Sequence, residues 1–319
     1  MSPVFRFIET NGIKLRAALL GEGPLVVLVH GFPESWYSWR HQMAPLAAAG
    51  FTACAIDVRG YGGSDKPHAV EAYDIAEIMA DVAGVVDALS PGAPAVLVGH
   101  DWGAPIVWNA ALMHPAKVRA VCGMSVPHVP AGERPFLEMM DQLFTKRGLF
   151  FYQIYFQQEG VAEAEFEADV RGFIRKCFHA WSGDGVWPSD KKLGETLLDG
   201  LVDPDPFPAW LTDADIDYYV GEFARSGLRG PLNRYRNNAR DWEILRRYAG
   251  QKIEQPALFI AGEREPVLKM FPGMDLTALM QASMSDLRGV HMIPGIGHWT
   301  QQEAPDAATG HLIDWLATL

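Results

Sequence analysis

Residues Gly99-His100-Asp101-Trp102-Gly103 stand between a short apolar run, Ala95-Val96-Leu97-Val98, and a helical pattern holding Val107, Ala110, Ala111 and Leu112. A buried strand, a sharp turn and a helix, with glycine two positions either side of one residue, is the geometry that exposes a nucleophile at the top of a sheet. The glycines are required because such a turn brings neighbouring backbones into close approach. Pro105 falls in the first helical turn, where a missing N–H costs little. The central residue is Asp101, where ester-cleaving enzymes of this geometry carry serine. A carboxylate attacks carbon well when a strained ring opens or a halide leaves, and a helix N-terminus behind it favours its ionised form. Asp is also a preferred helix N-cap. The paired glycines and the preceding strand favour the nucleophile over that plainer role.

The elements around this turn set the fold class. Leu25–Val29, Phe51–Ile56, Ala95–Val98 and Arg119–Met124 read as short buried strands. Between them Ile75, Ile78, Met79, Val82, Val85, Val86 and Leu89 recur at helical spacing. Buried strands alternating with helices predict a parallel sheet with right-handed crossovers. From His128 to Asp241 the strand runs stop, and helical stretches rich in Met, Phe and Trp alternate with turns at 183–188 and 203–208. The alternation resumes at Pro256–Ile260 and Val290–Ile293, and a last helix is expected over Pro305–Leu316. The organisation expected is therefore a discontinuous α/β core, residues 1–127 and 242–319, around a helical insert, residues 128–241.

The chain resembles the α/β-hydrolase epoxide hydrolases over nearly its full length. The resemblance rests on His30-Gly31-Phe32-Pro33-Glu34, Asp57-Val58-Arg59-Gly60-Tyr61-Gly62-Gly63-Ser64, the Asp101 turn and His298-Trp299. The first two segments mark the fold, and aspartate at the turn narrows it to epoxide hydrolases and dehalogenases. The fold implied is an α/β-hydrolase core, a mostly parallel sheet flanked by helices, carrying an inserted helical cap.

The resemblance also implies roles. The amides of Phe32 and Trp102 would form an oxyanion hole. His298, in the glycine-rich loop Pro294–Trp299, would be the general base that activates water. The acid that orients it should follow the strand Pro256–Ile260. The family carries Asp there, and the count lands on Glu265, one methylene longer, with Glu263 as the fallback. No acid ends the strand Arg119–Met124. Two cap tyrosines would protonate the opening ring: Tyr155 in Phe151–Gln157 and Tyr235 in Gly230–Asn237. Tyr152, Tyr218 and Tyr219 read as packing. Glu34 has two readings, contact with the hydrolytic water or a helix start. His100 and His291 read as structural, as does the loop Asp57–Ser64.

The activity implied is hydrolysis of an epoxide to a vicinal diol through an ester on Asp101. The rivals are a haloalkane or haloacid dehalogenase using the same aspartate, and a non-catalytic, ligand-binding relative. Composition agrees with an uncharged small-molecule substrate. The chain has 319 residues, 49% apolar, 21% charged and a net charge of −12, which disfavours nucleic acid and anionic membrane surfaces. No apolar run spans a membrane, and no His or Cys pattern suggests a metal. No cofactor is expected. Three scattered cysteines, Cys54, Cys122 and Cys177, suit free thiols in a reducing compartment, so a cytoplasmic protein is expected. Both monomer and homodimer remain open.

Overall fold

The computed structural model describes residues 2–188, 190–271 and 273–319. Its centre is an eight-stranded sheet: β1 (Val4–Thr10), β2 (Ile13–Leu20), β3 (Leu25–Val29), β4 (Thr52–Ile56), β5 (Ala95–His100), β6 (Val118–Met124), β7 (Ala257–Gly262) and β8 (Leu287–Ile293), in spatial order β1-β2-β4-β3-β5-β6-β7-β8. β2 pairs antiparallel with β1 and β4, and every other neighbour pair is parallel. β3, β5 and β7 are buried along their whole length, as strands covered by helices on both faces must be. Their runs of Val, Leu, Ile and Phe follow from that burial, each side chain contributing about 1.5–3 kcal/mol when withdrawn from water.

The hairpin β1–β2 is the part of the sheet that the apolar runs did not mark. Val4, Phe5 and Phe7 of β1 are exposed, so the strand shows no apolar run bounded by turns. Its one local signal is Asn11-Gly12, both at positive φ (46° and 75°), the pairing that a tight hairpin turn selects.

The helix Ile75–Leu89 begins where Asp74 accepts the Glu77 N–H at 3.0 Å, and its periodic apolar residues pack under the sheet. The last helix runs Pro305–Leu316, with proline in its first turn. Between β6 and β7 the described residues form helices and 3₁₀ turns, with isolated bridges from Leu149 to Lys192 and from Ile253 to Met284. This is the helical cap. Its helix Asn238–Leu245 runs across the expected boundary at 241.

Polar contacts seat the cap on the core. Trp36 Nε1 donates to Tyr218 Oη at 2.7 Å, Tyr219 Oη donates to Gln302 at 3.0 Å, and Arg16 pairs with both Asp57 of the core and Glu222 of the cap. Tyr218 and Tyr219 thus pack as expected, each with its hydroxyl satisfied. Cys54, Cys122 and Cys177 are buried and unpaired. No helix among the described residues is long and apolar enough to cross a membrane.

Candidate active site

Asp101 sits between β5 and the helix Gly103–Met113 with φ +51°, a left-handed conformation that costs an ordinary L-residue about 1–2 kcal/mol. The flanking glycines make that turn possible. A Cβ on Gly99 would lie 2.0 Å from the carbonyl oxygen of Gly103, and one on Gly103 would lie 2.0 Å from that of Val29. Gly31 is equally constrained: a Cβ there would stand 2.2 Å from Asp101 Oδ1. The same closeness lets the Phe32 N–H donate to Oδ1 at 2.7 Å. Trp102 follows at the start of the helix, so its N–H has no acceptor within that helix.

His298 is fully buried on the other side of the carboxylate. Its Nε2 stands 3.3 Å from Asp101 Oδ2 but lacks the alignment of a hydrogen bond. Its Nδ1 lies 3.0 Å from each oxygen of Glu265. Glu265 is buried in the turn after β7, where its Oε1 also accepts the Val267 N–H at 2.9 Å. The extra methylene of glutamate therefore still reaches the ring. Burial opposes a charge on His298, but Glu265 and Asp101 outweigh it and push its pKa up to about 10. Glu263 instead accepts the Gly295 N–H at an exposed turn, away from the ring. The position after β6 holds Ser125, whose hydroxyl donates to the His298 carbonyl oxygen at 2.6 Å.

Glu34 and His100 form a buried layer beneath these groups. Glu34 Oε2 accepts the Gly31 N–H at 2.9 Å and faces His100 Nδ1 at 2.8 Å, while Oε1 accepts from Gln301 and Gln302. Burial works against this carboxylate, yet His100 and the Gly31 amide hold its pKa down to about 2. His100 Nε2 reaches the His298 carbonyl oxygen at 2.7 Å. This layer supports the backbone on both sides of Asp101.

The cap tyrosines fall out differently from the expectation. Tyr235 is buried, with its ring edge-on to Trp102 at 5.1 Å and to Phe32 at 5.4 Å. Burial, then the Asp101 charge, raise its pKa well above 10 and keep the phenol protonated. Tyr155 does not join it. Its hydroxyl donates to Glu165 at 2.9 Å, and Glu165 also accepts the amides of Leu197 and Leu198. The neighbour of Tyr235 is Tyr152, at 6.1 Å between ring centroids, edge-on to Trp181 at 5.5 Å. Burial raises the Tyr152 pKa, and the charges that add to it are Asp101 and Glu265; for Tyr155 they are Glu165, Asp199 and Glu163. The expectation that Tyr155 faces the nucleophile, with Tyr152 as packing, is thus reversed. The physical reason is that a single helical turn, Tyr152–Tyr155, sets the two rings about 60° apart, and the Glu165 carboxylate captures the outer one.

Trp181 completes the site and had no sequence signal of its own. Its ring is edge-on to His298 at 5.0 Å and also meets Trp187 at 5.7 Å. A carboxylate on a strained turn, an amide on one of its oxygens, an imidazole–carboxylate pair and two phenols beside an aromatic wall are groups that could form an ester on the carboxylate and then hydrolyse it. Among the described residues, no three His, Cys, Asp or Glu are placed to hold a metal ion.

Comparison with known proteins gives the same direction. Residues 24–184 match the α/β-hydrolase fold family. Epoxide hydrolase A of Mycobacterium tuberculosis is 42% identical, the match covering 100% of this chain and 98% of that protein. Epoxide hydrolase B of the same organism is 39% identical over 100% of this chain and 99% of its own length. Among solved structures, an epoxide hydrolase from an endophytic Streptomyces superposes with a TM-score of 0.92 at 45% identity, covering 99% of this chain and 96% of that one. Epoxide hydrolase A from Mycobacterium thermoresistibile gives 0.91 at 43% identity, covering 99% and 98%.

Proposed function

Since the chain belongs to the epoxide hydrolases of the α/β-hydrolase fold, we propose that it converts an epoxide and water to a vicinal diol with Asp101 as nucleophile and Tyr152 and Tyr235 as the proton donors. The observation that carries this reading is the carboxylate of Asp101, held at positive φ with the buried Tyr235 packed on the adjacent Trp102 and the half-buried Tyr152 beside it. The alternative reading as a dehalogenase is not favoured, since the relatives named above are epoxide hydrolases.

In the first half-reaction, Asp101 Oδ2 forms a bond to an epoxide carbon as the ring C–O bond breaks. The ring oxygen leaves as an alkoxide and takes the proton of Tyr235 or Tyr152. Oδ1, already on the Phe32 amide, becomes the ester carbonyl oxygen. Ester formation removes the Asp101 charge. His298 then loses one of the two carboxylates that held its proton, its pKa falls, and it gives that proton up to restore the phenol. Neutral His298, still oriented by Glu265, takes a proton from water as the water oxygen adds to the ester carbon. The oxyanion on Oδ1 rests on the amides of Phe32 and Trp102. Collapse breaks the bond between the ester carbon and Oδ2, which leaves in the diol and takes the proton of the newly formed carboxyl group. The water oxygen takes its place, and Asp101 is ionised and His298 protonated as at the start. We take residues 128–241 as the cap and 1–127 with 242–319 as the core, and place the substrate between them.

A small neutral epoxide is the partner this site accommodates, because the two phenols and the aromatic walls offer no counter-charge. The test is diol formation from a panel of aryl and alkyl epoxides by the wild type, with His298→Gln trapped after a single turnover. A mass increment of one epoxide on the peptide bearing Asp101 is expected. No diol from any member, together with no increment, would sink the proposal.

A further inference from the structure

Outside the groups that touch substrate, one half-buried carboxylate joins the cap to the loop of the general base. Glu303 lies at the end of the short helix Thr300–Glu303, directly after His298 and Trp299. Its Oε2 accepts the N–H of Gly183, from the cap turn after the helix Val170–Trp181, at 2.7 Å, and that of Gly297 at 3.2 Å. Its Oε1 accepts the Trp299 N–H at 3.0 Å. One side chain thus satisfies three amides, two flanking His298 and one in the cap.

The two backbones touch without space between them. A Cβ on Gly183 would stand 2.2 Å from the Gly295 carbonyl oxygen, and one on Gly297 would stand 2.3 Å from the Gly183 nitrogen. His298 N–H donates to the Trp181 carbonyl oxygen at 2.9 Å, so the base itself is bonded to the cap through its backbone. Arg264, next to Glu265, donates to the Gly183 carbonyl oxygen at 2.7 Å. The Trp181 ring meanwhile packs on the His298 imidazole and on Tyr152.

We propose that Glu303 is a positioning residue for His298: it fixes the cap turn and the base loop as one piece, so that water activation depends on how the cap is seated. The inference rests on the epoxide hydrolase reading above. It assigns Glu303 to the second half-reaction. Asp101 and Tyr235 are held by other contacts, and Tyr152 meets this seam only at the edge of the Trp181 ring, so the first half-reaction depends on it far less.

The experiment compares the full-length wild type with Glu303→Gln and Glu303→Asp, measuring ester formation and ester hydrolysis separately by rapid quench and mass spectrometry. Replacing one oxygen by an amide nitrogen turns an acceptor of N–H groups into a donor facing them. Ester hydrolysis in Glu303→Gln is expected to slow about tenfold or more, as small misplacements of reacting groups do. Its pH profile should shift, ester formation should stay within about threefold, and the ester should accumulate. Glu303→Asp should recover part of the hydrolysis rate. Equal slowing of both steps, or both rates unchanged with only a lower melting temperature, overturns the proposal. Should Glu303→Gln fail to fold, Arg264→Met tests the same seam, with selective slowing of hydrolysis expected and unchanged hydrolysis overturning it. A wild type that forms neither ester nor diol overturns the functional reading itself, and this inference with it.

Discussion

The floor and the roof of the site are built by different means. On the floor, Asp101, Phe32, His298 and Glu265 stand on turns at the ends of β5, β3, β8 and β7, and backbone sterics place them. On the roof, Tyr152, Tyr155 and Tyr235 stand on helices that share one texture of aromatic residues, and side-chain partners decide which ring lies beside Tyr235. A glycine whose Cβ would collide with a carbonyl leaves a signature at one sequence position. A tyrosine drawn outward by a carboxylate ten residues later, as Tyr155 is by Glu165, leaves none.

The largest break in this comparison should come from the floor. Asp101→Ala is expected to lower diol formation by at least about 10⁴-fold, since no other side chain can form the ester, and intact-protein mass spectrometry should find no adduct. His298→Gln should form the ester at a near-normal rate and then stall, leaving a stable adduct. On the roof, Tyr152→Phe and Tyr235→Phe should each slow ester formation about 10- to 100-fold, because removing one donor leaves the other to protonate the alkoxide. Tyr155→Phe is expected to stay within about twofold of the wild-type rate and to lose only about 0.5–1.5 kcal/mol in denaturant unfolding, the worth of one hydrogen bond. A large rate loss in Tyr155→Phe with a normal Tyr152→Phe would restore the assignment expected from spacing alone.

A smaller effect follows from the charge on His298. Its pKa is raised in the folded protein, so its contribution to stability is complete below the ordinary histidine value near 6.5. That contribution is lost as pH rises through about 10. Asp101→Asn removes one of the two supporting carboxylates and should lower the pKa. The fall in unfolding free energy between pH 7 and 10 should then be shallower than in the wild type, as measured by urea titrations at several pH values.

How much could be read in advance follows the same division. Most strands were legible because sheet residues buried on both faces must be continuous apolar runs, as in Leu25–Val29 and Ala95–Val98. β1 was not, because its edge position leaves Val4, Phe5 and Phe7 in solvent and removes the constraint that writes the pattern. Glu265 was reached only by counting from a family pattern, and the approach of both its oxygens to His298 Nδ1 is a tertiary fact. Trp181 and Glu303 had no signal, since each acts on residues more than a hundred positions away or through backbone amides that any residue supplies.

By itself, then, the sequence determined the layered α/β core, the helical insert and the strained turn that carries Asp101, because these depend on local sterics and on which strands must be apolar. The tertiary structure alone decided that Tyr152 rather than Tyr155 partners Tyr235, and that the cap turn is joined to the His298 loop through Glu303. Those outcomes turn on which hydroxyl finds a carboxylate and which amide finds an acceptor across the cap–core seam, and such pairings exist only once the two parts have packed.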